Sequence, residues 1–359
     1  MLNREPSVRL RVLAFLCCAA LLAAGEDPFE APPELQAFAR QHTLIQMGVR
    51  SKLDYLVKAF FAPESEGGLG ITYDNAYTRT PVEAWRDRKA NCLSLTMLYV
   101  AACKSLDINA RYGESLRVSR WRRVGTTVRY ERHVVAVIQV GLVGQELVAD
   151  FLPEVHQQSQ MIALLSPERV RALFYSNRAV ELLADNRSGE ALLSAQLAID
   201  VDPGTGVGWN ILGVVQRSLG HDAEAEQAFL QALAKDPKDG APYGNMENLL
   251  RAQGREAEAQ GYRERGMEAR KKDPFFNAFL AEEAMQGGLW EEAQKRIKQA
   301  INLLPRESDF YLMQARVNLA QGQRKAAIKA LENARKWALP EMQARYDTKL
   351  ALLRGDIPA

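Results

Sequence analysis

Apolar and polar positions along the chain fall into three successive patterns. The first is a single apolar run, Val12 to Ala24, behind Arg4, Arg9 and Arg11. It is too short to cross about 30 Å of hydrocarbon, which takes about 20 residues. With Ala23 and Gly25 at its end, it reads as a leader over 1–25, cleaved before Glu26. The residues before Cys17 and Cys18 lack the small side chain expected ahead of a lipidated cysteine, which disfavours a lipid anchor. The expectation is an exported, periplasmic protein with no membrane span once the leader is removed.

The second pattern is mixed. Residues 33 to 61 predict two helices, Gly67-Gly68-Leu69-Gly70 marks a loop, and a short helix is expected from about Pro81 to Arg88. Asn91 is a good N-cap for the apolar helix that starts at Cys92. Period-two alternation then predicts strands over 127–140 and 145–151, joined as a hairpin. A two-residue turn at Gly141-Leu142 would set His133 opposite Asp150. A turn at Val143-Gly144 would instead part them by about 13 Å.

From about residue 170 the pattern turns wholly helical and rich in Ala, Leu, Gln, Glu and Lys, punctuated by Pro203, Pro237, Pro274 and Pro305 at intervals of 34, 37 and 31. Small Gly213, Ala225 and Ala232 alternate with large Trp209, Leu212 and Phe229, as two closely packed antiparallel helices require. This stretch resembles the tetratricopeptide repeat. Tyr175, Ala191 and Ala198 mark a first unit, Ala293 and Ala300 a fourth, and Tyr311, Ala327 and Ala334 a fifth. The third fits worst, with Arg263 and Gly266 on its second helix and a spacing that implies extra residues. An amphipathic capping helix is expected over 341–354. Such arrays present a surface to a protein or peptide, so a partner of that class is expected there.

Composition narrows the partners. The chain carries 46 basic and 44 acidic residues, which excludes the strongly basic footprint of a dedicated nucleic-acid binder. Two cysteines, Cys92 and Cys103, remain after the leader. On one helix their alpha carbons would lie about 16 Å apart, beyond the reach of a disulfide. Both thiols are therefore expected to be free, Cys103 as a core side chain.

Cys92 is the exception, because thiols in the first turn of a helix feel its unpaired N–H groups and ionise more readily. Nucleophilic catalysis needs a thiolate, an imidazole to relay its proton and a carboxylate to orient the imidazole. Cys92, His133 and Asp150 supply these types in order. Their contexts, Asn91-Cys92-Leu93-Ser94-Leu95, His133-Val134-Val135 and Val148-Ala149-Asp150-Phe151, resemble the transglutaminase-like branch of papain-type cysteine enzymes. Asn91 stands where that family often has Gly, and Val134-Val135 where many members have Ala-Trp. The resemblance implies an α+β domain of N-terminal helices plus antiparallel sheet over 26–165, ahead of an all-α solenoid over 170–356. It also implies acyl chemistry on amide bonds, by hydrolysis or transamidation, without a cofactor or metal. A second oxyanion donor beside the Cys92 N–H would come from an upstream side chain, with Tyr73, Trp85 and Asn91 as candidates.

Residues 109–132 carry seven arginines against two glutamates. Arg120, Trp121, Arg122 and Arg123 are expected to rim the cleft and to attract an anionic peptide or envelope polymer. The competing reading is a non-catalytic interaction protein in which the Cys92 domain is degenerate.

Overall fold

The computed structural model describes residues 29–41, 47–116, 120–124, 127–140, 145–151, 162–338 and 340–355; the side chains of 120–131, Gln145, Pro340 and Glu341 fall outside that description. The leader, its two cysteines and the turn at Gly141-Leu142 also lie outside the described residues. Contacts divide the chain into two units, one of Met1–Val118 with Arg132–Pro237, the other of Ser119–Glu131 with Lys238–Ala359.

The first unit opens with α1 (Pro33–Gln41), α2 (Val49–Phe61) and the short α3 (Pro81–Asp87), then α4 (Cys92–Ser105). Thr80 and Glu83 close a capping box on α3, which Pro81 starts. Helix α4 is buried from Leu93 through Cys103. An apolar helix of this kind can only be central, and it packs on the strands β3 (Ala110–Ser115) and β6 (Val134–Val140). With β7 (Gln145–Ala149) and β8 (Ile162–Leu165) these form an antiparallel sheet of order β7-β6-β3-β8. Edge-on aromatic contacts seal the core, Phe60 to Tyr99 at 5.9 Å and Tyr99 to Phe151 at 5.2 Å.

The strand expected over 127–140 is in fact two. It divides into β5 (Thr127–Glu131) and β6, with Arg132 and His133 in the break. Arg132 forks onto both carboxylate oxygens of the buried Glu114 at 3.0 and 2.9 Å, and the Ser115 N–H bonds the His133 carbonyl at 2.8 Å. Those bonds turn the chain out of one ladder and into another. The β6–β7 register runs from Val140↔Gln145 to Ala136↔Ala149. A four-residue connection, 141–144, therefore joins the strands, so neither expected two-residue turn accounts for the pairing.

Helix pairs follow: α5 (Pro167–Ala184) with α6 (Ser188–Val201) and α7 (Gly206–Ser218) with α8 (Asp222–Lys235) in the first unit. In the second come α9 (Ala241–Ala252) with α10 (Glu256–Arg270), α11 (Pro274–Gln286) with α12 (Trp290–Leu303), and α13 (Ser308–Ala320) with α14 (Arg324–Trp337). Helix α15 (Pro340–Arg354) closes the chain against α14. The turn inside each pair holds a residue at positive φ: Asn186, Gly220, Gly254, Gly288 and Gly322, at a constant interval of 34. The third pair thus contains no insertion. Pro274 opens α11 behind its Asp273 cap rather than closing α10, and the place one period after Pro237 is taken by Lys271. At Gly213 a Cβ would lie 2.4 Å from the Phe229 ring, which is why α7 and α8 approach so closely. The C-terminal half is a tetratricopeptide-like solenoid.

Strands β4 (Arg120–Val124) and β5 pair as an antiparallel ribbon, and within the second unit this ribbon lies against α9 and α11.

Candidate active site

Two short strands bring the upstream loop to the start of α4. β1 (Thr72–Tyr73) runs parallel to β2 (Lys89–Ala90), with Tyr73 opposite Ala90, and the Asp74 N–H bonds the Ala90 carbonyl at 3.0 Å. Asn91 then caps α4 by accepting the Ser94 N–H at 2.9 Å, which makes Cys92 the first helical residue, half-buried at the positive end of the helix.

His133 arrives from the other side. Thr96 on α4 donates to the Val134 carbonyl at 3.0 Å and ties the beginning of β6 to the Cys92 helix. The imidazole is 4% exposed, and its Nε2 lies 2.7 Å from Asp150 Oδ1. Cys92 is near enough to this ring to raise its proton affinity. Burial alone would depress the imidazole. The hydrogen bonds to Asp150 and Cys92 and the charge of both outweigh it and raise His133 to about 9.

Tyr73 completes the cluster, its hydroxyl near enough to Cys92 for that residue to weigh on its proton affinity. Burial first, and then the neighbouring Cys92, push its phenol well above the usual range. It stays a neutral O–H donor beside a backbone donor, the pairing that a developing oxyanion needs. Cys103, by contrast, is fully buried, and burial pushes its thiol up to about 12. Cys92 and Cys103 are both free.

Other candidates take different places. Asn91 uses its oxygen as the cap and a side-chain N–H on Thr78 Oγ1 at 2.8 Å, so its amide is engaged in holding the helix start. Trp85 packs edge-on against Phe38 at 5.8 Å with the Arg88 guanidinium 4.4 Å above it, as a core anchor. Arg120, Trp121, Arg122 and Arg123 lie on β4, opposite Glu131, Tyr130, Arg129 and Val128. Expected at the rim of the cleft, they group with the second unit, where their strand lies on α11.

Four polar residues hydrogen-bonded around this cluster, Thr78, Thr96, Asn177 and Glu181, are not singled out by the sequence. Among the described residues no group of His, Cys, Asp and Glu is placed to hold a metal ion, and no helix is long and apolar enough to cross a membrane.

No family model and no curated protein matches the chain. Solved structures do. YrrB, described as a TPR protein with an unusual peptide-binding site, is 21% identical at a TM-score of 0.28, over 50% of this chain and 92% of that one. PilF of Pseudomonas aeruginosa is 15% identical at 0.31, over 53% of this chain and 87% of that one. A thermophilic TPR protein of Thermus thermophilus is 19% identical at 0.28, over 50% of this chain and 100% of that one. At these values the assignment of the solenoid rests on its own 34-residue geometry. The transglutaminase-like resemblance rests on the residues around Cys92, His133 and Asp150 alone.

Proposed function

We propose that the chain is a protein-binding repeat scaffold carrying a thiol acyl-transfer site, in which Cys92, His133 and Asp150 cleave an amide bond in a protein or peptide. The observation that carries the catalytic part is one buried imidazole bonded to a carboxylate at 2.7 Å through Nε2, with the helix-terminal Cys92 near enough to raise the ring's proton affinity. A histidine that only fills a core needs polar partners, but not a carboxylate together with a nearby nucleophile.

In this reading the proton of the Cys92–His133 pair rests on the raised imidazole, and Cys92 Sγ attacks the amide carbonyl carbon as the thiolate. The carbonyl oxygen becomes an oxyanion held by the Cys92 N–H and the Tyr73 hydroxyl. The C–N bond breaks as His133 returns the proton to the leaving amine, which gives a thioester. Water then adds to the thioester carbon and its proton goes to His133. Collapse frees the acid and restores the thiolate–imidazolium pair. An amine in place of water makes the same site a transamidase; hydrolysis is favoured because water is abundant.

A second reading, a scaffold without catalysis, is supported by the share of the chain given to helix pairs, from Pro167 to Arg354. Iodoacetamide labelling across pH, read by mass spectrometry on the wild type and His133→Ala, separates the two. Catalysis requires Cys92 to label far faster than Cys103 near neutral pH and to lose that advantage without His133. Equal, slow labelling of both thiols in the folded protein would leave the scaffold.

A further inference from the structure

The first solenoid helix reaches into the Cys92 site through a single buried hydroxyl. Thr78, 1% exposed, receives the Asn91 side-chain N–H at 2.8 Å and the Asn177 side-chain N–H at 3.2 Å on its Oγ1. Its backbone N–H donates to Glu181 Oε1 at 2.7 Å. A threonine hydroxyl has two acceptor places, and here both are taken. Asn177 and Glu181 stand one turn apart on α5, and Asn91 caps the helix that Cys92 begins. The adjoining Arg79 N–H donates to Ser94 Oγ at 2.7 Å, two residues past Cys92, so the loop grips both sides of the helix start.

We infer that Thr78 is a positioning residue for the Cys92 nucleophile, joining the Asn91 cap to Asn177 and Glu181 of the first solenoid helix so that α5 is a working part of the site. This rests on the catalytic reading above. The physical step is short. Asn91 can serve as a cap only while its oxygen points at the Ser94 N–H, and the bond from its nitrogen to Thr78 holds it in that rotamer. Without the hydroxyl, the amide N–H groups of Asn91 and Asn177 lose their acceptor, and that of Asn91 is buried. The amide then turns, the first turn of α4 loosens, and the thiol leaves the imidazole.

The test is the rate and pH profile of iodoacetamide labelling at Cys92 in the full chain, with Cys103 as the internal measure of folding. Thr78→Val, equal in shape, is expected to slow Cys92 labelling near pH 6.5 by roughly tenfold, in line with the loss of a helix cap, while Cys103 stays protected. Thr78→Ser restores the hydroxyl and is expected to restore the rate. Should Thr78→Val fail to fold, Asn177→Ala decides, since Asn177 is exposed and its loss is expected to slow labelling about twofold. A reactive wild-type Cys92 with unchanged profiles in folded Thr78→Val, or in Asn177→Ala where that variant decides, overturns the inference and leaves the catalytic reading intact. An inert wild-type Cys92 overturns both.

Discussion

His133 lies two residues off the register that pairs Ala136 with Ala149, so it faces Asp150 diagonally, and still its Nε2 closes to 2.7 Å. A shift of two keeps both side chains on the same face of the sheet, and diagonal neighbours are within reach of long side chains. Both residues also stand just beyond the paired stretch, where side chains can lean together. The longer connection therefore leaves the pair in contact, where a further shift of two would have parted it.

Asp150 ought to govern the pH dependence of stability. In the folded protein His133 is raised from 6.5 to about 9, so the native state holds its proton more tightly than the unfolded chain does. The stabilisation is complete below about 6.5 and is lost as pH rises through about 9. At about 1.4 kcal/mol per unit it amounts to on the order of 3 kcal/mol. Urea unfolding at pH 6, 7.5 and 9.5 is expected to show this decline in the wild type and a much flatter profile in Asp150→Asn. A parallel decline in both proteins would mean that the pair does not set the proton affinity.

Tyr73 should matter to acyl transfer and not to alkylation. Iodoacetamide reacts at a saturated carbon and develops no oxyanion, whereas acylation by a nitrophenyl ester does. Tyr73→Phe is thus expected to slow ester acylation of Cys92 by roughly 10²-fold while iodoacetamide labelling changes by less than about threefold. Equal losses in both reactions would place Tyr73 at the thiol only.

Gly213→Ala is expected to destabilise the solenoid by about 1 to 3 kcal/mol, because Phe229 is fully buried and cannot swing away from a Cβ placed 2.4 Å from its ring. Thermal unfolding checks this, with Gly244→Ala as the control, since nothing lies within 4 Å of a Cβ there. No difference in melting temperature between the two would show that the helices can separate at little cost.

Gly213 also marks what the sequence made legible. Paired small and large residues exposed the helix pairs and their number, because packing of two helices demands volumes at fixed spacing. Prolines were a poorer ruler, since Pro274 suits the first turn of a helix as well as the end of the one before. The steadier ruler was the left-handed turn residue, whose conformation suits few side chains and recurs every 34 positions from Asn186 to Gly322. In the first unit, Cys92, its cap and its neighbours His133 and Asp150 were legible as residue types in context. Strand β3 was not, because Arg111 and Glu114 interrupt its apolar pattern while serving ion pairs to Glu146 and Arg132. Nor was the part played by α5, because Asn177 and Glu181 read as ordinary polar positions of a repeat helix.

That last point governs where the chain can be cut. Val170, Leu173 and Phe174 of α5 share a core cluster with Leu93, Met97 and Val134, the residues that flank Cys92 and His133. Removing everything from Pro167 onward would strip those three apolar side chains, worth roughly 1.5 to 3 kcal/mol each, along with the two α5 partners of Thr78. A chain ending at Ser166 is therefore expected to lose the fast labelling of Cys92 and the protection of Cys103 together. One ending at Pro237 keeps α5 through α8 and is expected to protect Cys103 as the full chain does. Limited proteolysis and labelling of the two fragments distinguish this from a separable arrangement, in which the shorter fragment would retain both properties. Such retention would make α5 a passive neighbour and place the boundary of the catalytic unit before the first repeat.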